Sequence, residues 1–91
     1  VKVRWSANAE ESLADILAHF RRFSERSAND WGRRLVRRAE SAATFPWSFR
    51  EVPEIGSPNV RETFEQEYRI WFEIRGDEIE ILVVFHGARD V

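Results

Sequence analysis

Few side chains in this sequence can do acid–base or anion chemistry, and two of them, Arg69 and His86, are spaced to act together. The chain has only two histidines. Imidazole alone titrates near neutrality when unperturbed, so His86 is the candidate acid or base. Thirteen of the fourteen basic residues are arginine, whose planar fork suits bidentate contacts to carboxylate or phosphate. Arg69 lies in the run Tyr68-Arg69-Ile70-Trp71-Phe72, whose alternation puts Arg69 and Trp71 on one strand face. If Arg75 and Glu78 flank a turn at Gly76-Asp77, Arg69 falls opposite Val84. His86 is then the diagonal neighbour on the same face, at about 7–8 Å. The alternation assigns both residues to the face opposite a core row of Tyr68, Ile70, Ile81 and Val83. The plainer reading of Arg69 is a cross-strand ion pair on a solvated face.

Other chemistries are closed by composition. The 91 residues contain no cysteine, which removes disulfides, thiolate metal sites and cysteine nucleophiles. Two histidines make a dedicated metal site a poor fit, and no cofactor is expected. No apolar run approaches the length of a membrane span, and the start, Val1-Lys2-Val3-Arg4-Trp5, lacks a signal-peptide core. A cytoplasmic chain without membrane contact is the expectation. The net charge of −2 hides an uneven distribution. Residues 21–50 carry eight arginines against Glu25, Asp30 and Glu40, whereas residues 51–91 carry four arginines against ten acids. A basic middle of this kind can meet an acidic partner, or be a solvated helix face.

The elements that would position these residues form one domain over residues 1–91, without repeats or linkers. Lys2 to Trp5 reads as a first strand. Ser6 or Asn8 can cap a helix over roughly residues 8–25, with Leu13, Ile16, Leu17, Phe20 and Phe23 at spacings of three and four. Ser27 or Asn29 can cap a second helix running to about Thr44, with Trp31, Leu35, Ala39 and Ala42 inward. Arg33, Arg34, Arg37 and Arg38 straddle its flank. The two helices should pair antiparallel, and Phe20, Phe23 and Trp31 should pack as core between helices and sheet. Residues 46–59 hold all three prolines and read as a loop. Val60–Glu65, Tyr68–Arg75 and Ile79–His86 then alternate as strands, with Gly76-Asp77 suiting a type II′ hairpin turn. The expected fold is α+β, ordered β-α-α-β-β-β, with a helical hairpin on one face of a small antiparallel sheet.

In that order and at those spacings the chain resembles the RelE/ParE superfamily of toxins from bacterial type II toxin–antitoxin modules. The resemblance runs over the apolar-spaced first helix and the basic second helix ending at Phe45-Pro46. It continues through the loop Val52-Pro53-Glu54-Ile55-Gly56-Ser57-Pro58, then Val60-Arg61-Glu62, Tyr68-Arg69-Ile70-Trp71-Phe72, and the close Val84-Phe85-His86-Gly87-Ala88-Arg89-Asp90.

The resemblance implies a toxin held inactive by a cognate antitoxin that wraps the helix–sheet surface, with operator DNA reached only through that antitoxin. Two activities divide the superfamily. ParE-like members poison DNA gyrase by protein binding, and RelE-like members cut mRNA on the ribosome without metal. Metal-free cleavage needs a base for the 2′-hydroxyl, cations on the phosphorane and an acid for the leaving oxygen. The RelE pattern would assign these roles to Arg69, His86 and Arg89, with Glu51 or Glu54 as a possible base. This chain lacks the lysines near the loop and the late tyrosine usual in ribonuclease members, and it is net acidic. The favoured expectation is therefore a ParE-like gyrase inhibitor. Partner contacts would be made by Arg33, Arg34, Arg37 and Arg38 on the second helix and by Arg61 and Trp71 on the sheet. An mRNA endoribonuclease and a non-toxic binding module of the same fold are the alternatives.

Overall fold

The computed structural model describes residues 1–88. The element order is β1 (Lys2–Trp5), α1 (Ala7–Arg21), α2 (Glu25–Ser41), a 3-10 turn at Pro46–Ser48, β2 (Arg50–Glu51), β3 (Val60–Glu65), β4 (Tyr68–Arg75) and β5 (Glu78–His86). The five strands form one sheet in the order β1-β5-β4-β3-β2. The helical hairpin covers one face of it, as the sequence leads one to expect.

Three features differ from that expectation. The sheet is mixed, because β1 runs parallel to β5 with Val3 beside Ile79 and Trp5 beside Ile81. Alternation of Val3 and Trp5 fixes which side chains face inward and carries no information on strand direction. The helices meet at an earlier break than predicted. Ser24 is the second N-cap, accepting from the Ser27 amide, and the amides of Phe23 and Ser24 bond back to the Phe20 carbonyl. That early end turns Phe23 out to 75% exposure, so it is not core. Finally, the proline-rich stretch contains the short strand β2, paired to β3 through Arg50 and Glu62.

The core fills the space between helices and sheet. Ala9, Leu35, Ala39 and Ala42 pack on Ile70, Phe72, Ile74, Ile79, Ile81 and Val84. Trp31 and Phe20 stack at 5.1 Å on its edge, half-buried rather than central. A smaller cluster of Val52, Val60 and Trp71 lies on the sheet face away from the helices, with Leu82, Val83 and Phe85 packed against it.

The β4–β5 hairpin begins as predicted, Arg75 opposite Glu78, with Gly76 at a φ of 58° in the left-handed region that a turn of this kind demands at its first position. Ile74, Glu73 and Phe72 follow opposite Ile79, Glu80 and Ile81. The register then slips by one residue, so that Trp71 meets Val83 and Leu82 is the extra residue of a β-bulge. The backbone groups a bulge frees are taken up by the start of α1. The Leu82 carbonyl accepts from Ser6 Oγ at 3.1 Å and Asn8 Nδ2 at 3.3 Å, and the Val84 amide donates to Ser12 Oγ at 3.1 Å.

Candidate functional site

Because of the bulge, Arg69 lies opposite Phe85 and His86 lies opposite Tyr68. The expected pairing of Arg69 with Val84 is corrected, and with it the shared face. Arg69 points to the open side of the sheet with Trp71, while His86 points to the helix side with Tyr68. Val83, expected in the core row, packs on the open face.

The open face is organised around one buried carboxylate. Glu62 of β3 is 1% exposed, and a buried anion needs partners to offset its lost hydration. Three side chains supply them. Arg69 contributes Nε at 2.8 Å and an Nη at 2.6 Å to one oxygen, which also accepts from Trp71 Nε1 at 3.0 Å. Arg50 Nε bonds the other oxygen at 2.5 Å. The outer edge of Arg69 is taken by Glu54 from the loop, at 2.7 and 3.0 Å. The guanidinium also lies 5.4 Å from the ring centroids of both Trp71 and Phe85. Hydrogen bonding to Arg69, then to backbone, holds the Glu54 carboxyl down to about 2, and the same contact raises Arg69 further above its ordinary value. Arg69 is thus a cation with every edge engaged by the protein itself.

Trp71 is 6% exposed, a wall of this network rather than a platform open to a stacking base. Arg61 clips the preceding loop, donating to the carbonyls of Pro58, Trp47 and Phe49 at 2.8, 3.2 and 2.8 Å. Its guanidinium also covers the Trp47 ring at 5.1 Å. Glu51 sits opposite Arg61 at the sheet edge. Glu62 is the residue the sequence reading missed, and Glu54, considered there as a base, is instead a partner of Arg69. The available signal was Glu62 itself, an acid in the apolar row Val60, Glu62, Phe64.

On the helix side, His86 stands edge-on to Tyr68 at 5.3 Å, and its Nδ1 accepts from the Ala88 amide. It shares a concavity of about 410 Å³ with Ser12, Asp15, Ile16, His19, Tyr68 and Val84. Arg89 lies outside the described residues. Among the described residues no group of histidine and carboxylate side chains could hold a metal ion, and no helix is long and apolar enough to cross a membrane.

The basic helix completes the inventory. Arg34 and Arg38 reach across to Glu65 of β3 at 3.1 and 3.2 Å, Arg34 lies 4.4 Å over the Trp31 ring, and Arg33 pairs with Asp30.

Comparison with known proteins identifies this arrangement. The family model for the ParE toxin of type II toxin–antitoxin systems, parDE, matches residues 3–91. The chain belongs to the ParE toxin family. A solved chain from a chromosomal ParDE TA system of P. aeruginosa has the same fold, with a TM-score of 0.79 at 21% identity over 94% of this chain and 95% of that one. A search of curated proteins found no match. Membership in the ParE family makes this protein a component of a toxin–antitoxin system and implies an antitoxin as its partner.

Proposed function

We propose that this ParE-family toxin arrests growth by protein–protein binding to a type II topoisomerase such as DNA gyrase, and that its cognate antitoxin blocks that contact. The observation that carries the reading is the separation of Arg69 from His86 by the sheet. Metal-free RNA cleavage needs cation, base and acid around one phosphate. Here the cation is engaged by Glu54 and Glu62, and the imidazole lies on the other face. Family membership supports the same direction. Binding in place of catalysis shifts attention to the surface arginines of α2, which suit an acidic surface.

Pulse incorporation of labelled thymidine and methionine, minutes after inducing the chain alone in bacteria, tests the reading. Thymidine uptake should fall first while translation continues. An immediate fall in methionine uptake would instead favour mRNA cleavage. Normal uptake of both, with soluble protein confirmed, would leave a binding module without toxicity.

A further inference from the structure

The arginines of α2 fall into two sets with different work. Arg34 and Arg38 share Glu65, which is only 13% exposed as a side chain, so they staple the helix to β3. The side chains of Arg26 and Arg37 have no ion pair or hydrogen bond among the described residues. Among the described residues Arg33 meets only Asp30, one turn earlier on its own helix. At about 100° per residue, Arg26, Arg33 and Arg37 fall within about 40° of one another, directly opposite Leu35 in the core. They span about 16 Å of helix at its usual rise. Asp30 and Glu40 lie in the same stripe. Beside it Gly32 and Val36 floor a shallow concavity edged by Arg33, Arg37 and Glu40.

We infer that this outward stripe, and not the whole basic run, is the surface that grips the target, and that the target presents an acidic protein patch with an apolar side chain to seat over Gly32 and Val36. The inference rests on the proposed protein-binding function and narrows it. Charge complementarity selects the sign of the partner: three exposed guanidinium groups stand in line, two of them without internal neutralisation. The interleaved acids select its class. Asp30 and Glu40 would each oppose a continuous phosphate backbone, whereas a protein surface can answer a mixed pattern of charge. The apolar floor also has no use against phosphates. Gly32 also faces α1, where a Cβ would come 3.3 Å from Leu17 Cδ1, so the glycine lets the two helices approach closely beside that floor.

The test compares the wild-type chain with R33E/R37E, R33K/R37K and R34Q/R38Q, induced in bacteria to matched soluble levels and melted as purified proteins. The charge reversal should reduce growth arrest by about tenfold or more, with a melting temperature within about 2 °C of wild type. The lysine pair should keep the arrest. The glutamine pair should melt lower yet still arrest growth at a temperature where it is folded. Full arrest by R33E/R37E overturns the inference, as does a loss that tracks a lowered melting temperature or a lysine pair that fails like the reversal. Binding of wild type but not R33E/R37E to random-sequence duplex DNA overturns the choice of a protein partner. If the reversal loses arrest while the wild type halts methionine uptake first, the stripe stands and the topoisomerase reading falls.

Discussion

At the scale of single residues, the open sheet face is governed by which charge is buried and which is exposed. Glu62 is buried, and three side chains converge on it. Removing it by Glu62→Ala would strand Arg69, itself 12% exposed as a side chain, without its inner anion. Breaking a buried pair in this way costs about 3–5 kcal/mol, and urea denaturation should show that loss. Glu54 is the opposite case, 52% exposed as a side chain and attached to the same cation from outside. Its carboxyl titrates near 2 in the folded chain against an ordinary value of 4.5. A carboxyl lowered by folding stabilises the native state above its unfolded pKa, and that contribution disappears as pH falls through the folded one. Melting temperatures of wild type and Glu54→Gln should therefore differ by a constant amount above about pH 5 and converge as pH falls from 4.5 toward 2. A gap that persists at pH 2 would show that the carboxylate charge is not what Arg69 holds. The sequence offered an ion pair as the plainer reading of Arg69, and the partners are Glu54 and the buried Glu62. What brings Glu54 to Arg69 is the burial of Val52, whose amide bonds the Val60 carbonyl and folds the loop back on β3. Nothing in the local pattern around Pro53 announces that path.

At the scale of elements, the decisive feature is the bulge at Leu82. Sequence alternation located β3, β4, β5 and the Gly76-Asp77 turn, because each has apolar and polar residues in period two. It failed beyond Ile81, where Leu82-Val83-Val84-Phe85 is apolar at both parities and a slip of one residue leaves no trace. A residue on another element carried the missing signal. Ser12 stands on the inward side of α1 near Ala9 and Ile16, a polar side chain that only a free backbone group would justify. It receives the Val84 amide and donates to the Ala9 carbonyl. Ser12→Ala should therefore leave the Val84 amide unsatisfied and cost about 1–3 kcal/mol, measurable by denaturant melts. Hydrogen exchange should rise at Val84 more than at Ile79, further down the same strand. The helix boundaries were legible to within a few residues, and the difference lies in Ser24, whose capping role was assigned to Ser27 or Asn29. Gly87 shows a similar dependence on distant elements. A Cβ there would lie 2.9 Å from the Glu67 carbonyl, which already accepts the Gly87 amide at 2.7 Å. Gly87→Ala forces the β3–β4 turn and the end of β5 apart, at about 1–3 kcal/mol.

For the whole molecule, the asymmetry between the two sheet faces sets both stability and accessibility. A domain of this length has a net stability of about 5–14 kcal/mol, and the helix-covered face supplies most of the buried apolar surface. Phe72 is fully buried in it and meets Phe49 edge-on at 5.6 Å. Phe72→Ala should cost about 3–5 kcal/mol, a large share of the total, and lower the melting temperature by at least about 12 °C for a chain this small. Phe64 is also aromatic and also in the sheet, yet it is 41% exposed on the uncovered face, where Arg50 lies 5.6 Å from its ring. Phe64→Ala should change stability by about 0.5 kcal/mol or less, as surface substitutions do. Paired thermal melts of the two variants measure the contrast directly. An equal loss at both positions would mean that the open face contributes to the fold as much as the covered one. The expected inequality says instead that the helix side holds the chain together. The outward stripe of α2 and the exposed positions of the open sheet face, such as Phe64, are then free to be shaped by what binds them, whereas the buried Glu62 and its partners are held by the fold.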